Sequence, residues 1–196
     1  VPDNFPSIQE AIYNASAGDT VFVRAGNYTT VPNAPLYINQ SISLIGENCQ
    51  DTIITTTETR VRVYAYGFEV LVAANNVAVS GFTITGKRNV IFVGGGGCLT
   101  NNIINLPADG DTAIMTDSGI ISSNIINGGR QGIVSRDLGS GNIGISTEPA
   151  VNTTISNNII NGFGIGIWVE GIQGRSSLRI LNNTLTNNNV GLSATA

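Results

Sequence analysis

Asp117, Arg136 and Glu170 are the residues whose types and spacing come nearest to a reactive constellation in this chain of 196 residues. Each follows a short run of alternating apolar residues, and stacking those runs places the three side chains on adjacent levels, with Asp137 and Glu148 close by in sequence. Two carboxylates beside an Arg offer oxygen ligands for Ca²⁺ and a clamp or proton acceptor for a uronate, which is the equipment of an elimination reaction. The same residues also make an ordinary cross-strand charge ladder worth ~0.2–1 kcal/mol a pair, and this plainer reading is the stronger one. No catalytic residue is therefore expected, and Ca²⁺ enters only under the lyase alternative. Copper prefers His and Met, and the chain has no His and a single Met, Met115. Cys49 and Cys98 are too few for a zinc-thiolate site. They lie about two coils apart in the repeat described below, near the ~7 Å limit on Cα separation for a disulfide, so a bond between them and two small buried thiols are both open.

The elements that position these residues follow from one repeated phrase. Phe82-Thr83-Ile84-Thr85 is answered by Asn102-Ile103-Ile104-Asn105, Asn124-Ile125-Ile126-Asn127, Asn158-Ile159-Ile160-Asn161 and Asn183-Thr184-Leu185-Thr186. The aligned apolar positions Ile84, Ile104, Ile126, Ile160 and Leu185 are 20, 22, 34 and 25 residues apart, which is the period of a solenoid. Five residues before these aligned positions stand Val79, Leu99, Ile121, Ile155 and Ile180. After the phrase come alternating pairs, Ile91/Val93, Ile114/Thr116, Ile133/Ser135, Ile167/Val169 and Leu192/Ala194, with the period of two that half-buried strands require. Coils stacked about 4.8 Å apart in parallel would bring Asn102, Asn124, Asn158 and Asn183 into a self-bonding ladder. The long step is read as a loop insertion near residues 135–151.

Composition bounds the rest. One domain is expected over residues 1–196, and with 11% charged residues, 6% aromatic residues and 24 Gly, the core must be aliphatic and the corners tight. The net charge of −4 and the absence of a basic run argue against nucleic acid or an anionic membrane surface as partner. No apolar run approaches the ~20 residues of a spanning helix. No signal peptide precedes Val1, which suits a mature secreted form. Sequons occur at Asn14, Asn27, Asn39, Asn152 and Asn182. With 24 Asn in the chain, chance supplies about four, so their number says little about glycosylation.

Residues 1–20 read as an N-terminal cap. Ser7 and Glu10 form a capping box, and Ile8, Ala11, Ile12 and Ala15 give one apolar face to a short helix ending near Gly18, laid over the first coil of residues 21–196. The runs from Phe5 to Ile12, Ala17 to Val23, Ala25 to Tyr28 and Ser43 to Asn48 resemble the opening of NosD-like and pectate-lyase-like surface proteins. The resemblance covers nearly the whole chain. It implies a right-handed parallel β-helix, extracellular or at the cell surface, often concerned with carbohydrate. It does not fix an activity, because the same scaffold carries lyases, hydrolases, adhesins and structural subunits. Hydrolases of the polygalacturonase type use a His that is missing here.

In this register Phe92, Met115, Val134 and Trp168 form an outward apolar row, to be covered by the 135–151 segment, by another subunit or by a sugar face. The terminal coil, with Leu185 and Leu192, carries no capping helix and is expected to meet a second copy head to tail. The expected function is a self-assembling structural or adhesive β-helix subunit with a glycan as a further partner. The alternative is a Ca²⁺-dependent polysaccharide lyase or a carbohydrate-binding module.

Overall fold

The repeated phrase encodes a corner followed by a strand. The computed structural model describes residues 1–30, 35–56, 68–87, 89–107, 110–128, 143–147, 152–170 and 177–195. Just before the phrase, Gly81, Asn101, Ser123, Asn157 and Asn182 all have positive φ, between 53° and 82°. Gly adopts this left-handed conformation freely and Asn tolerates it better than most residues, so the chain can bend sharply here without a long loop. The Gly81 corner sits closely on the end of the strand below it: a Cβ on Gly46 would collide with the carbonyl of Gly81.

Each coil contributes one strand to each of three parallel seven-stranded sheets. The first sheet comprises Thr20–Val23, Ser43–Gly46, Ala78–Ser80, Cys98–Thr100, Gly119–Ser122, Thr153–Ser156 and Leu178–Leu181. The second comprises Gly26–Thr30, Thr52–Thr56, Thr83–Thr85, Ile103–Asn105, Ile125–Asn127, Ile159–Asn161 and Thr184–Thr186. The third comprises Leu36–Ile38, Phe68–Val72, Asn89–Val93, Thr112–Thr116, Ile143–Thr147, Ile165–Glu170 and Val190–Thr195. The chain is a parallel β-helix with, among the described residues, one short helix, Ile8–Asn14, at its N-terminal end. Ser7 caps that helix by accepting the Glu10 amide at 3.2 Å, and Ile8, Ala11 and Ile12 are buried against the first coil. The helix stops at Asn14, earlier than Gly18, which instead takes a positive φ in the following turn.

Inward side chains stack row on row. Ile84, Ile104, Ile126 and Ile160 pair in register and are fully buried, while Leu185, on the last coil described, is half-buried. Val79, Leu99, Ile121 and Ile155 do the same in the first sheet. One expectation fails. The third-sheet strand within the 34-residue step is Ile143–Thr147, with Ile145 beside Ile114 and Ile167, and not the run at Ile133 to Ser135. Residues 135–151 are therefore not simply a loop insertion. Gly132-Ile133-Val134-Ser135 and Gly144-Ile145-Ser146-Thr147 alternate equally well, so periodicity cannot choose between them, and pairing with Thr112–Thr116 decides.

The Asn ladder spans four coils. Oδ1 of Asn102, Asn124, Asn158 and Asn183 accepts the backbone amides of Phe82, Asn102, Asn124 and Asn158 at 3.0–3.1 Å. Their Nδ2 groups donate back to the carbonyls of Val79, Leu99, Ile121 and Ile155 at 2.9–3.0 Å. Each amide thus satisfies groups that a buried corner would otherwise orphan. Replacing Asn124 with Ala should cost about 2–4 kcal/mol by chemical denaturation, because the Asn102 amides lose their acceptor and the Leu99 carbonyl its donor. Asn183→Ala, at the half-buried end of the ladder, should cost less.

Candidate functional site

The acidic constellation does not assemble as expected. Asp117 follows the strand Thr112–Thr116, and its Oδ1 accepts the Ser118 hydroxyl at 2.9 Å, while Ser118 Oγ accepts the Gly96 amide at 2.9 Å. It is part of a local turn. Arg136 lies outside the described residues, and the register removes the reason for placing it here: Thr116 pairs with Thr147, whose successor in sequence is Glu148. Glu170 ends its own strand opposite Thr195. The sequence signal that was missed is an acid following Ile-x-Thr or Ile-x-Val in three successive third-sheet strands, at Asp117, Glu148 and Glu170. Among the described residues, no three His, Cys, Asp or Glu side chains come together as a metal site.

The outward apolar row of the third sheet is also corrected. By register it runs Tyr37, Leu71, Phe92, Met115, Ser146, Trp168 and Ser193, so Ser146 takes the place expected for Val134, which lies outside the described residues. Leu71 and Met115 are 3% and 4% exposed, and Phe92 and Trp168 are half-buried. This face is not open along its length. Phe92 also meets the Phe68 ring, centroids 5.4 Å apart and tilted by 50°. Leu192 belongs to the inward row beside Ile167 and is 50% exposed on the last coil described.

The second sheet presents a different surface. Its strands have three to five residues, of which those flanking the central inward residue point outward. One outward row is Asn27, Ile53, Thr83, Ile103, Ile125, Ile159 and Thr184; the other is Thr29, Thr55, Thr85, Asn105, Asn127, Asn161 and Thr186. None of these side chains is charged, and none is long or aromatic. Ile125 and Ile159 are 40% and 45% exposed. The polar row is ordered by its own bonds: Asn127 Nδ2 donates to Asn105 Oδ1 at 3.0 Å, and Asn161 Oδ1 accepts from Thr186 Oγ1 at 3.2 Å and from Asn187 Nδ2 at 2.7 Å. The first sheet's outward face has one charge, Arg179 in its last strand. Soluble surfaces normally mix both signs of charge throughout, so a charge-free sheet face stands out.

The remaining candidates are quieter. A cleft of about 370 Å³ separates the N-terminal helix from the strand Gly26–Thr30. Three of its polar side chains are bonded within the chain: Ser7 caps the helix, Gln9 bonds both the amide and the carbonyl of Tyr37, and the Tyr28 hydroxyl donates to the Arg24 carbonyl. The cleft reads as a packing seam. Cys49 and Cys98 are separate thiols, with no bond between them. Asn14, Asn27, Asn39, Asn152 and Asn182 are all exposed. No helix among the described residues is long and apolar enough to cross a membrane.

No protein-family model matches the chain, and no curated protein matches it. Among solved structures it is similar to the A-module of the mannuronan C-5 epimerase AlgE4 from Azotobacter vinelandii, at 14% identity and a TM-score of 0.31, over 92% of this chain and 72% of that one. A TM-score this low carries no argument about function, and the fold rests on the strand register described above.

Tyr28 gives the capped end a pH signature. Burial, then the nearby carboxylates of Asp3 and Glu47, raise its pKa, against a smaller opposing effect of Arg24. The folded chain holds this proton more tightly than the unfolded chain, so its contribution is intact below the usual tyrosine value near 10 and is lost as pH rises through the folded pKa. In alkaline denaturation titrations, Tyr28→Phe should therefore flatten the fall in stability above about pH 10.

Proposed function

We propose that this chain is an extracellular or cell-surface structural or adhesive subunit that works through its sheet faces, assembling with copies of itself. The observation that supports this reading is the charge-free outward face of the second sheet, with Ile125 and Ile159 at 40% and 45% exposure on a chain whose net charge is −4. Apolar side chains repeated at coil spacing gain from being covered, and a neutral face lets like-charged copies approach. The resemblance to NosD-like and pectate-lyase-like surface proteins points the same way in location and architecture.

A glycan partner is a second reading for the same face. The row of Asn and Thr side chains supports it, since amides and hydroxyls are the groups that bond sugar hydroxyls. The lack of any aromatic ring there, the usual platform for a sugar face, weighs against it. The register no longer supports the Ca²⁺-dependent lyase alternative, because Thr147 pairs with Thr116 where Ser135, the residue before Arg136, was expected.

Two measurements test the proposal together. Sedimentation across a concentration series should show self-association. Incubation with polygalacturonate and Ca²⁺ should give no unsaturated product. A strict monomer that forms unsaturated product, and loses that activity on Asp117→Asn, would replace the structural reading with the lyase.

A further inference from the structure

We infer that the occupant of the second-sheet face is a second copy of this chain, docked face to face with its coil axis antiparallel to the first. This rests on the structural reading above and deepens it by naming the partner, the face and the geometry. Three observations carry it. The face repeats at coil spacing, about 4.8 Å, and side chains of two periodic faces interdigitate along their whole length only if both share one repeat, which a second copy does by construction. The face is also self-complementary. A twofold axis in the contact plane, parallel to the strands and so perpendicular to the coil axis, lays the Ile103, Ile125 and Ile159 row on its own counterpart, and the Asn105, Asn127 and Asn161 row on its own counterpart. Finally, the Asn row already spends bonds internally, from Asn127 to Asn105 and from Thr186 and Asn187 to Asn161. That leaves fewer donors for a sugar, but it pre-orders the row for dry packing and reduces the entropy lost on contact.

Magnitude sets the strength of the pair. A sheet of seven strands, about 4.8 Å apart and roughly three residues wide, offers a footprint of roughly 300 Å². That is less than half of the ~800 Å² a side found in stable complexes. The pair therefore forms near millimolar concentration and is sparse in dilute solution. Because the face is neutral while the chains repel through their net charge of −4, salt strengthens the association. An interface built on ion pairs would weaken instead.

The test is small-angle scattering with sedimentation equilibrium from micromolar to millimolar protein, at low and high salt, on the wild-type chain and two variants. Ile125→Lys with Ile159→Lys places two charges on the contact face at exposed positions, so folding should survive and circular dichroism will verify it. Thr154→Lys places one charge on the first sheet as a control. The wild type and Thr154→Lys should approach twice the monomer mass with unchanged length and a broader cross-section, more so at high salt. The double variant should associate at least tenfold more weakly. Association undiminished in the double variant, or a pair twice as long and no broader, overturns the inference while leaving a self-assembling subunit. A wild type that stays monomeric to millimolar also overturns it. In that case retention on an insoluble neutral polysaccharide, lost in the double variant, would keep the contact face and assign it to glycan; retention unchanged or absent would remove both readings.

Discussion

The bond between one coil's corner amide and the next coil's Asn Oδ1 is the constraint on which the rest of this structure depends. A three-residue strand has too few backbone bonds to fix its own register, and a slip of one residue would turn every inward Ile outward. At Asn102, Asn124, Asn158 and Asn183 the side chain bonds the preceding coil through Oδ1 and the first-sheet strand of that coil through Nδ2, so each level can sit on the last in one way only. With register fixed at the corner, Ile104, Ile126 and Ile160 fall into one column without further specification.

The same constraint makes the surface. Once Asn102 is pinned, Ile103 must point out, Ile104 in and Asn105 out, and the next coil repeats the sequence at Ile125, Ile126 and Asn127. A repeated phrase thus produces a repeated face as a direct consequence of stacking. Among the described residues the charges lie elsewhere: Glu69 is buried in a third-sheet strand, Arg179 is on the first sheet, and Asp3 and Arg24 pair near the N-terminal cap at 2.6 Å in an exposed contact of little energetic weight. The second sheet is left neutral, and it is this combination of periodicity and neutrality that favours a partner of the same repeat.

Much of this was legible in the sequence, for a physical reason. The inward column, the ladder and the Ser7 helix cap are set by contacts between residues at matching positions of the repeat or within one turn, and periodicity reports such contacts. What it could not report was the choice between Ile133 to Ser135 and Ile143 to Thr147, because both runs alternate and only long-range pairing distinguishes them. The register expected at Ile133 to Ser135 therefore belongs to Ile145 to Thr147. The neutral face was present in the phrase itself, at its second and fourth residues.

Native-state hydrogen exchange of the corner amides tests most directly whether the ladder holds the coils in register. The amides of Phe82, Asn102, Asn124 and Asn158 each bond a side-chain oxygen and no sheet carbonyl. If the ladder fixes the stack, these four should exchange only through global opening, with the same protection and denaturant dependence as the Ile103 and Ile125 amides beside them. Fast exchange at these four while Ile103 and Ile125 remain protected would show that the sheets hold register unaided, and that the ladder merely fills the corner.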